Sequence, residues 1–449
     1  MEEENLIIVL ISYESSRDWR NRMKFIKKIV GIRLERKRKT AYSNIERMIE
    51  VDSIKLPLYG DLIKIVRVGE YVKKGQIIAT GEITPSLHSP ISGEVEEIIT
   101  GTKDRDGYEK IIVIKNDYEE NTYENYSMKE YEELSIDDFL CLIKDKGITG
   151  MGGGYPTYLK IKKSFENKNK ILIVNACESE PYLNCDNRLI QEKAKEIIEG
   201  INILIKTLKL DSVIIAIEDN KKEAFMELRK ALKNHIKIQI KVLKRIYPLG
   251  EERILIRELF KREIRKDSFP VDEGYLVQNV ATIFSIYEAV ILGKPLIDRV
   301  LTVAGEGIIE NKNLKIKIGT SVKDIANYLK LRTVVNKIVV GGPLTGKSFY
   351  DMDKIVIQKN NGGLLFLTKE EINSKRTDAC IYCGACVDKC PMGLVPLRFE
   401  ELVRASEKAE LLKMNVNDCI ECGVCSYICP SNRPLLESII IGKKILKEV

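Results

Sequence analysis

Eight cysteines near the end of the chain have the type and spacing that metal chemistry requires. The run CIYCGACVDKCP places Cys380, Cys383, Cys386 and Cys390, and CIECGVCSYICP places Cys419, Cys422, Cys425 and Cys429, each as C-x2-C-x2-C-x3-C-P. Iron in a cubane cluster takes thiolate sulfur, and this spacing lets one loop wrap three corners while the fourth ligand arrives from elsewhere. Where two such runs occur together, the last cysteine of each serves the other cluster. That assigns Cys380, Cys383, Cys386 and Cys429 to one 4Fe-4S cluster, and Cys419, Cys422, Cys425 and Cys390 to a second. Pro391 and Pro430 end the loops by removing a backbone donor. The alternative is a pair of zinc knuckles, but those join two C-x2-C elements across a longer spacer and lack the triplet followed by C-P. Two clusters a short hop apart carry single electrons, so a further donor or acceptor is required.

A candidate for it lies in GITGMGGGYPTYLK, residues 147–160. Gly150, Gly152, Gly153 and Gly154 let the backbone approach a phosphate closely, and Lys160 adds charge early in the helix that follows. This is neither a Walker loop nor G-x-G-x-x-G, and a tight turn between elements is its alternative. The segment NACESEPYLNCDNR begins at the end of a buried strand and brings Asn175, Glu178 and Glu180 to the edge where such sheets bind ligands. Carboxylates there can accept hydrogen bonds from ribose hydroxyls or flavin N–H groups. Asp186 or Asn184 can also cap the next helix, and the two readings are compatible.

The elements that must position these groups fall into blocks. Residues 1–50 form an N-terminal extension, with a basic, amphipathic helical pattern at RDWRNRMKFIKKIVGIRLERKRK. It is either a solvated face on its own domain or a surface for anionic lipid or an acidic partner. Residues 51–118 alternate apolar and polar between Gly69, Gly75, Gly81 and Gly93, as in a small β sandwich. Their layout resembles a lipoyl-type barrel-sandwich module without the lysine for a swinging arm. After a Tyr- and Glu-rich linker, residues 135–298 alternate strands (ILIVNA, SVIIAIE, IKIQIKVL) with helices, which predicts a mainly parallel sheet. Residues 299–350 suit a small β-grasp-like α+β unit. Residues 370–440 hold the cysteine runs, joined by one helical stretch, PLRFEELVRASEKAELLKM.

At 449 residues and 44% hydrophobic content the chain builds several cores, and a net charge of +7 from 73 basic and 66 acidic residues is too mild to argue for nucleic acid. The longest N-terminal apolar run, LIIVLI, is far shorter than the ~20 residues of a membrane span. Membrane contact is therefore expected to be peripheral. Crowded thiols in a reducing compartment favour metal over disulfides. His88 and His235 are too few and too far apart for a histidine-rich zinc site, and Cys141, Cys177 and Cys185 read as small buried hydrophobes.

With these motifs in view, the chain resembles the RnfC component of the Rnf ion-translocating oxidoreductase. GMGGGYPTYLK, ESEPYLNCDNRLI, YPLGEERILI, VDEGYLVQNVATIFSIYEAVILGKPLIDRVLTV, GGPLTG and the two cysteine runs occur in the family's order over about residues 55–440. The family is similar to the flavin- and NADH-binding subunit of respiratory complex I. The resemblance implies a barrel-sandwich module, a Rossmann-like flavin domain, an SLBB β-grasp domain and a two-cluster ferredoxin-like domain. It implies FMN that exchanges hydride with NAD(H), 4Fe-4S clusters that relay single electrons, and a place in a membrane complex linking ferredoxin and NAD to ion movement. The protein would sit peripherally on the cytoplasmic side of the cell membrane, against other subunits of the complex. By position, Gly150, Gly152, Gly154 and Lys160 would hold the flavin phosphate side, and Asn175, Glu178, Glu180 and Asn279 would surround flavin and dinucleotide. The chain departs from the family in having GGGYP for G-G-A-G-F-P, Ser179 within E-S-E-P where Cys is common, and DNR for D-H-R. It also lacks the usual Gly-Gly-x-His-Pro opening.

Two other readings share the modules. One is a soluble flavin and iron-sulfur protein related to cobalamin reductase or to the electron-transfer protein of proline reductase; module order and EPYLNCDNRLI favour the Rnf type. The other is a ligand-binding module with structural clusters, which NADH would leave oxidised.

Overall fold

The computed structural model describes residues 31–35, 39–48, 50–100, 110–123, 134–165, 170–233, 235–265, 268–372 and 375–447. Most of the basic N-terminal pattern, including Lys27, Lys28, Arg36 and Arg38, lies outside the described residues, as does much of the linker before residue 134.

A short strand β1 (Ile45–Arg47) precedes the first β unit. That unit comprises β2 (Ser53–Pro57), β3 (Ile63–Lys64), β4 (Tyr71–Val72), β5 (Ile77–Thr80), β6 (Leu87–His88), β7 (Gly93–Thr100) and β8 (Lys110–Asn116), as a four-stranded sheet β2-β8-β7-β4 and a three-stranded sheet β3-β5-β6. The period-2 pattern buries alternate residues, and Ile54, Leu56, Ile78, Val95, Ile112 and Ile114 form a barrel-like core that water does not reach.

Helix α1 (Ile136–Asp145) starts at Ser135, whose hydroxyl accepts from the Asp138 N–H, and buries Phe139, Leu140 and Ile143. After the glycine-rich loop come α2 (Thr157–Ser164), β9 (Ile171–Ala176), α3 (Cys185–Leu208), β10 (Ser212–Glu218), α4 (Lys222–Leu232), β11 (Ile238–Leu243), α5 (Glu252–Phe260), β12 (Tyr275–Asn279) and α6 (Val280–Ile291). The strands pair in parallel in the order β11-β10-β9-β12. Leu172, Ile173 and Val174 of β9 are all buried, as a central strand covered on both faces requires.

The third unit has β13 (Asp298–Ala304), β14 (Lys312–Lys317), α7 (Val322–Leu329), β15 (Lys337–Val340), β16 (Lys347–Phe349) and β17 (Gly363–Leu367). Its six-stranded sheet runs β1-β14-β13-β17-β15-β16. It therefore reaches past residue 350 and takes its edge strand, parallel to β14, from the chain before the barrel.

The last unit contains α8 (Ala385–Asp388), α9 (Pro396–Arg404), α10 (Lys408–Lys413), α11 (Val424–Ile428) and α12 (Leu435–Lys447), around Phe399, Leu402, Leu411, Val416, Leu435 and Ile439. The single helix expected between the cysteine runs is two, α9 and α10, broken where Ser406 adopts a left-handed φ of 58°. Among the described residues no helix is long and apolar enough to cross a membrane.

Candidate functional site

The two cysteine loops are built alike. In each, the second residue after the first cysteine is left-handed, Tyr382 at φ 54° and Glu421 at φ 54°, and a left-handed glycine, Gly384 or Gly423, opens a short helix. This conformation turns backbone N–H groups inward, as in anion-binding nests. Tyr382 N–H donates to Cys380 Sγ, Glu421 N–H to Cys419 Sγ and Leu394 N–H to Cys390 Sγ, each at 3.4 Å.

Cys380, Cys383, Cys386 and Cys429 line one cavity with Leu397 and Leu435; Cys390, Cys419, Cys422 and Cys425 line another with Leu394, Val424 and Ile439. The structure thus brings the last cysteine of each run to the other run's triplet. Burial pushes the Cys422 and Cys425 thiols up to about 12, so their thiolates form when a metal displaces the proton. Four sulfurs, inward N–H donors and an apolar wall fit a cubane cluster in each cavity. The cavities differ in exposure, for Cys383, Ile381 and Tyr382 stand in solvent beside the first.

The glycine loop closes on itself: Gly154 N–H donates to Gly150 O (2.7 Å) and Gly150 N–H to Tyr155 O (2.8 Å). Met151 N–H donates to Thr282 Oγ1 in the first turn of α6 (3.0 Å), tying the loop to the end of the parallel sheet. A Cβ at Gly152 or Gly153 would meet nothing within 4 Å, so that stretch is open, while Gly154 needs its φ of +75°. Behind the loop, buried Lys359 donates to Ser86 O (2.9 Å) and Gly147 O (2.8 Å), riveting barrel, loop and third unit together. Burial lowers its pKa from 10.5 to about 7. Gly152 also lines a cavity of about 510 Å³ with Lys55, Thr345, Lys347 and Asn360.

Asn175 and Asn279 are in register at the C-terminal ends of β9 and β12. Asn175 Nδ2 donates to Gly250 O (2.8 Å); Asn279 caps α6 through Ala281 N–H and donates to Asp186 Oδ2 (2.7 Å). Lys160 pairs with Glu252. Glycine N–H groups, a lysine, two amides and a carboxylate suit a phosphate and a polar ring system. The hydroxyl of Thr157, buried at the start of α2, has no partner among the described residues.

The two glutamates have other contacts. Glu178 is buried, accepts from Lys221 Nζ (2.6 Å) and from Asp186 N–H (3.1 Å), and so caps α3. Neither the Asn184 nor the Asp186 side chain provides that cap: Asn184 sits at the N-cap with no side-chain bond to the helix, and its amide donates to Thr40 Oγ1 and Tyr182 O instead. Glu178, Cys185 and Asp186 bring ligand atoms within 4.8 Å of one another, but the Lys221 ammonium already supplies the cation. Burial, then the charge of Glu178, raises Asp186 from 3.8 to about 6. Glu180 grips the third unit, accepting from Leu344 N–H (3.1 Å), Thr345 N–H (3.0 Å) and Thr345 Oγ1 (2.7 Å). Cys177 and Cys185 are buried, whereas Cys141 is exposed on α1 with Sγ 3.4 Å from Asp145 Oδ2, because it lies opposite the face that buries Phe139 and Ile143.

Sequence reasoning did not single out Tyr247. It is buried, its hydroxyl donates to Cys422 O (2.6 Å), and it packs with Ile32, Leu34, Leu344 and Val424. Its signal was the segment YPLGEERILI, whose residue types name no chemistry.

Family models match the Nuo51 FMN-binding domain at residues 143–288, a 4Fe-4S dicluster domain at 379–433 and the RnfC barrel sandwich hybrid domain at 27–119. FMN and 4Fe-4S clusters are thus the cofactors of the two matched domains. The chain is 36% identical over 339 residues to the RnfC component of the proton-translocating ferredoxin:NAD(+) oxidoreductase complex of Clostridium ljungdahlii, covering 74% of this chain and 73% of that one. It is 34% identical over 422 residues to the corresponding component of the ion-translocating oxidoreductase complex of Rhodobacter capsulatus, covering 91% and 81%. The Vibrio cholerae counterpart is 36% identical over 367 residues, 80% of this chain but 47% of the longer relative. An NAD+-reducing NiFe-hydrogenase shares the fold, with a TM-score of 0.52 at 18% identity over 68% of this chain and 63% of that chain. With mixed α/β units, a barrel-like N-terminal domain, an FMN-binding domain and a dicluster domain in this order, the chain belongs to the RnfC family of the ion-translocating oxidoreductase complexes.

Proposed function

We propose that this chain is the electron-transfer subunit through which a membrane-bound Rnf-type complex exchanges electrons with NAD(H), with ferredoxin as the other redox partner and ion translocation coupled to the flow. FMN supplies hydride exchange with the nicotinamide and release of single electrons, which the clusters relay. Residues 51–118 act as the barrel-sandwich module, 135–298 as a Rossmann-like flavin domain, 299–350 as the body of an SLBB β-grasp unit, and 370–440 as a ferredoxin-type domain. The loop of Gly150, Gly152 and Gly154 and the Lys160 ammonium hold the phosphate side, with the Gly150 and Gly154 N–H groups closing the loop and its open stretch at Gly152 facing the ligand, and the amides of Asn175 and Asn279 orient the ring. Glu178 and Glu180 act from behind, one by fixing Asp186 and Lys221, the other by holding Leu344 and Thr345.

The observation that carries this reading is the contiguity of the sites. The loop from Tyr247 to Gly250 accepts from Asn175 at one end and donates to Cys422 O at the other. The cavity of Cys390, Cys419, Cys422 and Cys425 therefore lies nearer the sheet edge. The cavity of Cys380, Cys383, Cys386 and Cys429 lies toward the surface, where Ile381 and Tyr382 are exposed and another subunit would dock. The names of its relatives as parts of translocating complexes support attachment to a membrane complex, and on this reading the chain sits peripherally on its cytoplasmic side. Anaerobic NADH titration of the flavin-loaded protein, followed by flavin bleaching and electron paramagnetic resonance, tests the reading. Both should become reduced; flavin and clusters that stay oxidised would overturn it.

A further inference from the structure

The cluster lobe meets the rest of the chain at the second cavity. Tyr247 lies in this contact, held from both sides. Ile32 N–H donates to Tyr247 O (3.0 Å) and Tyr247 N–H to Ile32 O (2.9 Å), while Arg245 donates to Leu34 O, so the N-terminal segment straps the loop down. On the other side the ring meets Leu344 and Val424, and Gly423 is so close to Leu344 that a Cβ would lie 2.8 Å from its carbonyl. These contacts aim one polar atom, the phenolic hydroxyl, at the carbonyl of Cys422.

A carbonyl oxygen beside a cluster carries negative partial charge that opposes the electron added on reduction, and a donor on it withdraws that charge. Hydrogen bonding and burial around the sulfurs are the protein's means of setting cluster potentials. We propose that Tyr247 is a positioning residue that raises the reduction potential of the cluster held by Cys390, Cys419, Cys422 and Cys425, by donating its phenolic hydrogen to the Cys422 carbonyl from outside the cluster lobe. This rests on reading the second cavity as a cluster site, and it makes the parallel-sheet unit a determinant of the nearer cluster's potential.

The test is Tyr247→Phe in the full chain with both clusters, poised with dithionite and mediators and read by electron paramagnetic resonance. A Cys383→Ser sample identifies the signal of the first cavity. The expected result is a fall of about tenfold in the reduction equilibrium constant of the second-cavity cluster, ~59 mV for one electron. The first-cavity cluster and the iron content should be unchanged. Potentials that do not move, or that move together, would overturn the proposal. So would a shift in Tyr247→Leu with none in Tyr247→Phe, since ring packing would then be the cause. Because dithionite needs neither flavin nor NADH, failure of NADH to reduce the wild-type protein would sink the proposed function while leaving this measurement to stand by itself.

Discussion

Cys390 and Cys429 each line the cavity of the run they do not belong to, so sequence distance and chemical neighbourhood separate at these two positions. Cys429→Ser should remove the resonance signal of the cluster beside Cys380, Cys383 and Cys386. Iron should fall from about eight atoms per chain toward four while the other signal persists. Cys390→Ser should do the reverse, and loss of the signal beside the mutated run would reject the crossed assignment. Asp186 offers a pH test. Its folded pKa, about 6, lies above the ordinary 3.8, so the folded state holds the extra proton, and the resulting stability is fully present below pH 4 and lost as pH rises through 6. Asp186→Asn keeps an acceptor for Asn279 and abolishes the charge. Thermal midpoints of the variant should be flat across that window and higher than wild type at pH 7, by about 1–3 kcal/mol of stability. A slope unchanged from wild type would assign the effect elsewhere.

Among elements, the connections carry more of the site than the helices and strands do. The glycine loop is positioned by Lys359, which reaches across from the third unit to the carbonyls of Ser86 and Gly147. The folded pKa of that lysine is about 7 against an ordinary 10.5, so the unfolded chain binds the extra proton and stability rises between pH 7 and about 10. Lys359→Met should flatten the rise and strand two carbonyls, each costing ~1–3 kcal/mol. Denaturant unfolding should therefore show the widest gap from wild type near pH 10 and a narrower one at pH 7. Glu180 acts similarly on the loop at Leu344 and Thr345, which in turn packs on the second cysteine loop. Glu180→Ala should cost about 2–4 kcal/mol by leaving those N–H groups without their acceptor. Flavin content should be retained, because the carboxylate faces the third unit; loss of flavin with unchanged stability would give it a direct role instead.

Across the whole molecule, the cluster lobe is fastened by Tyr247 to Cys422, by Leu344 against Val424, and by buried Arg257, whose Nη1 donates to Pro391 O (3.0 Å). Arg257→Ala should loosen the lobe without removing either cofactor. Stopped-flow mixing with NADH should then show flavin reduction at the wild-type rate and cluster reduction slowed roughly tenfold. Equal slowing of both phases would place the defect at the nucleotide site. The N-terminal chain takes part in this assembly through Ile32 at Tyr247 and β1 beside β14, although its basic composition suggested a separate extension.

The sequence alone determined the cluster chemistry, the open glycine loop and the parallel sheet. Each depends on residue type at short spacing: thiolates to wrap a cubane, glycines for a bare backbone, and unbroken apolar runs for strands covered on both faces. It also supplied Asn175 at a strand end, since strand termini can be read locally, while Asn279 came only from the family resemblance. Only the tertiary structure decided what Glu178, Glu180 and Tyr247 touch. Glu180 meets Thr345 across 165 positions and Tyr247 meets Cys422 across 175. A carboxylate or phenol looks the same in sequence whether it meets a ligand or a backbone amide. Which partner it meets is settled by how separate cores pack, and no local pattern encodes that distance.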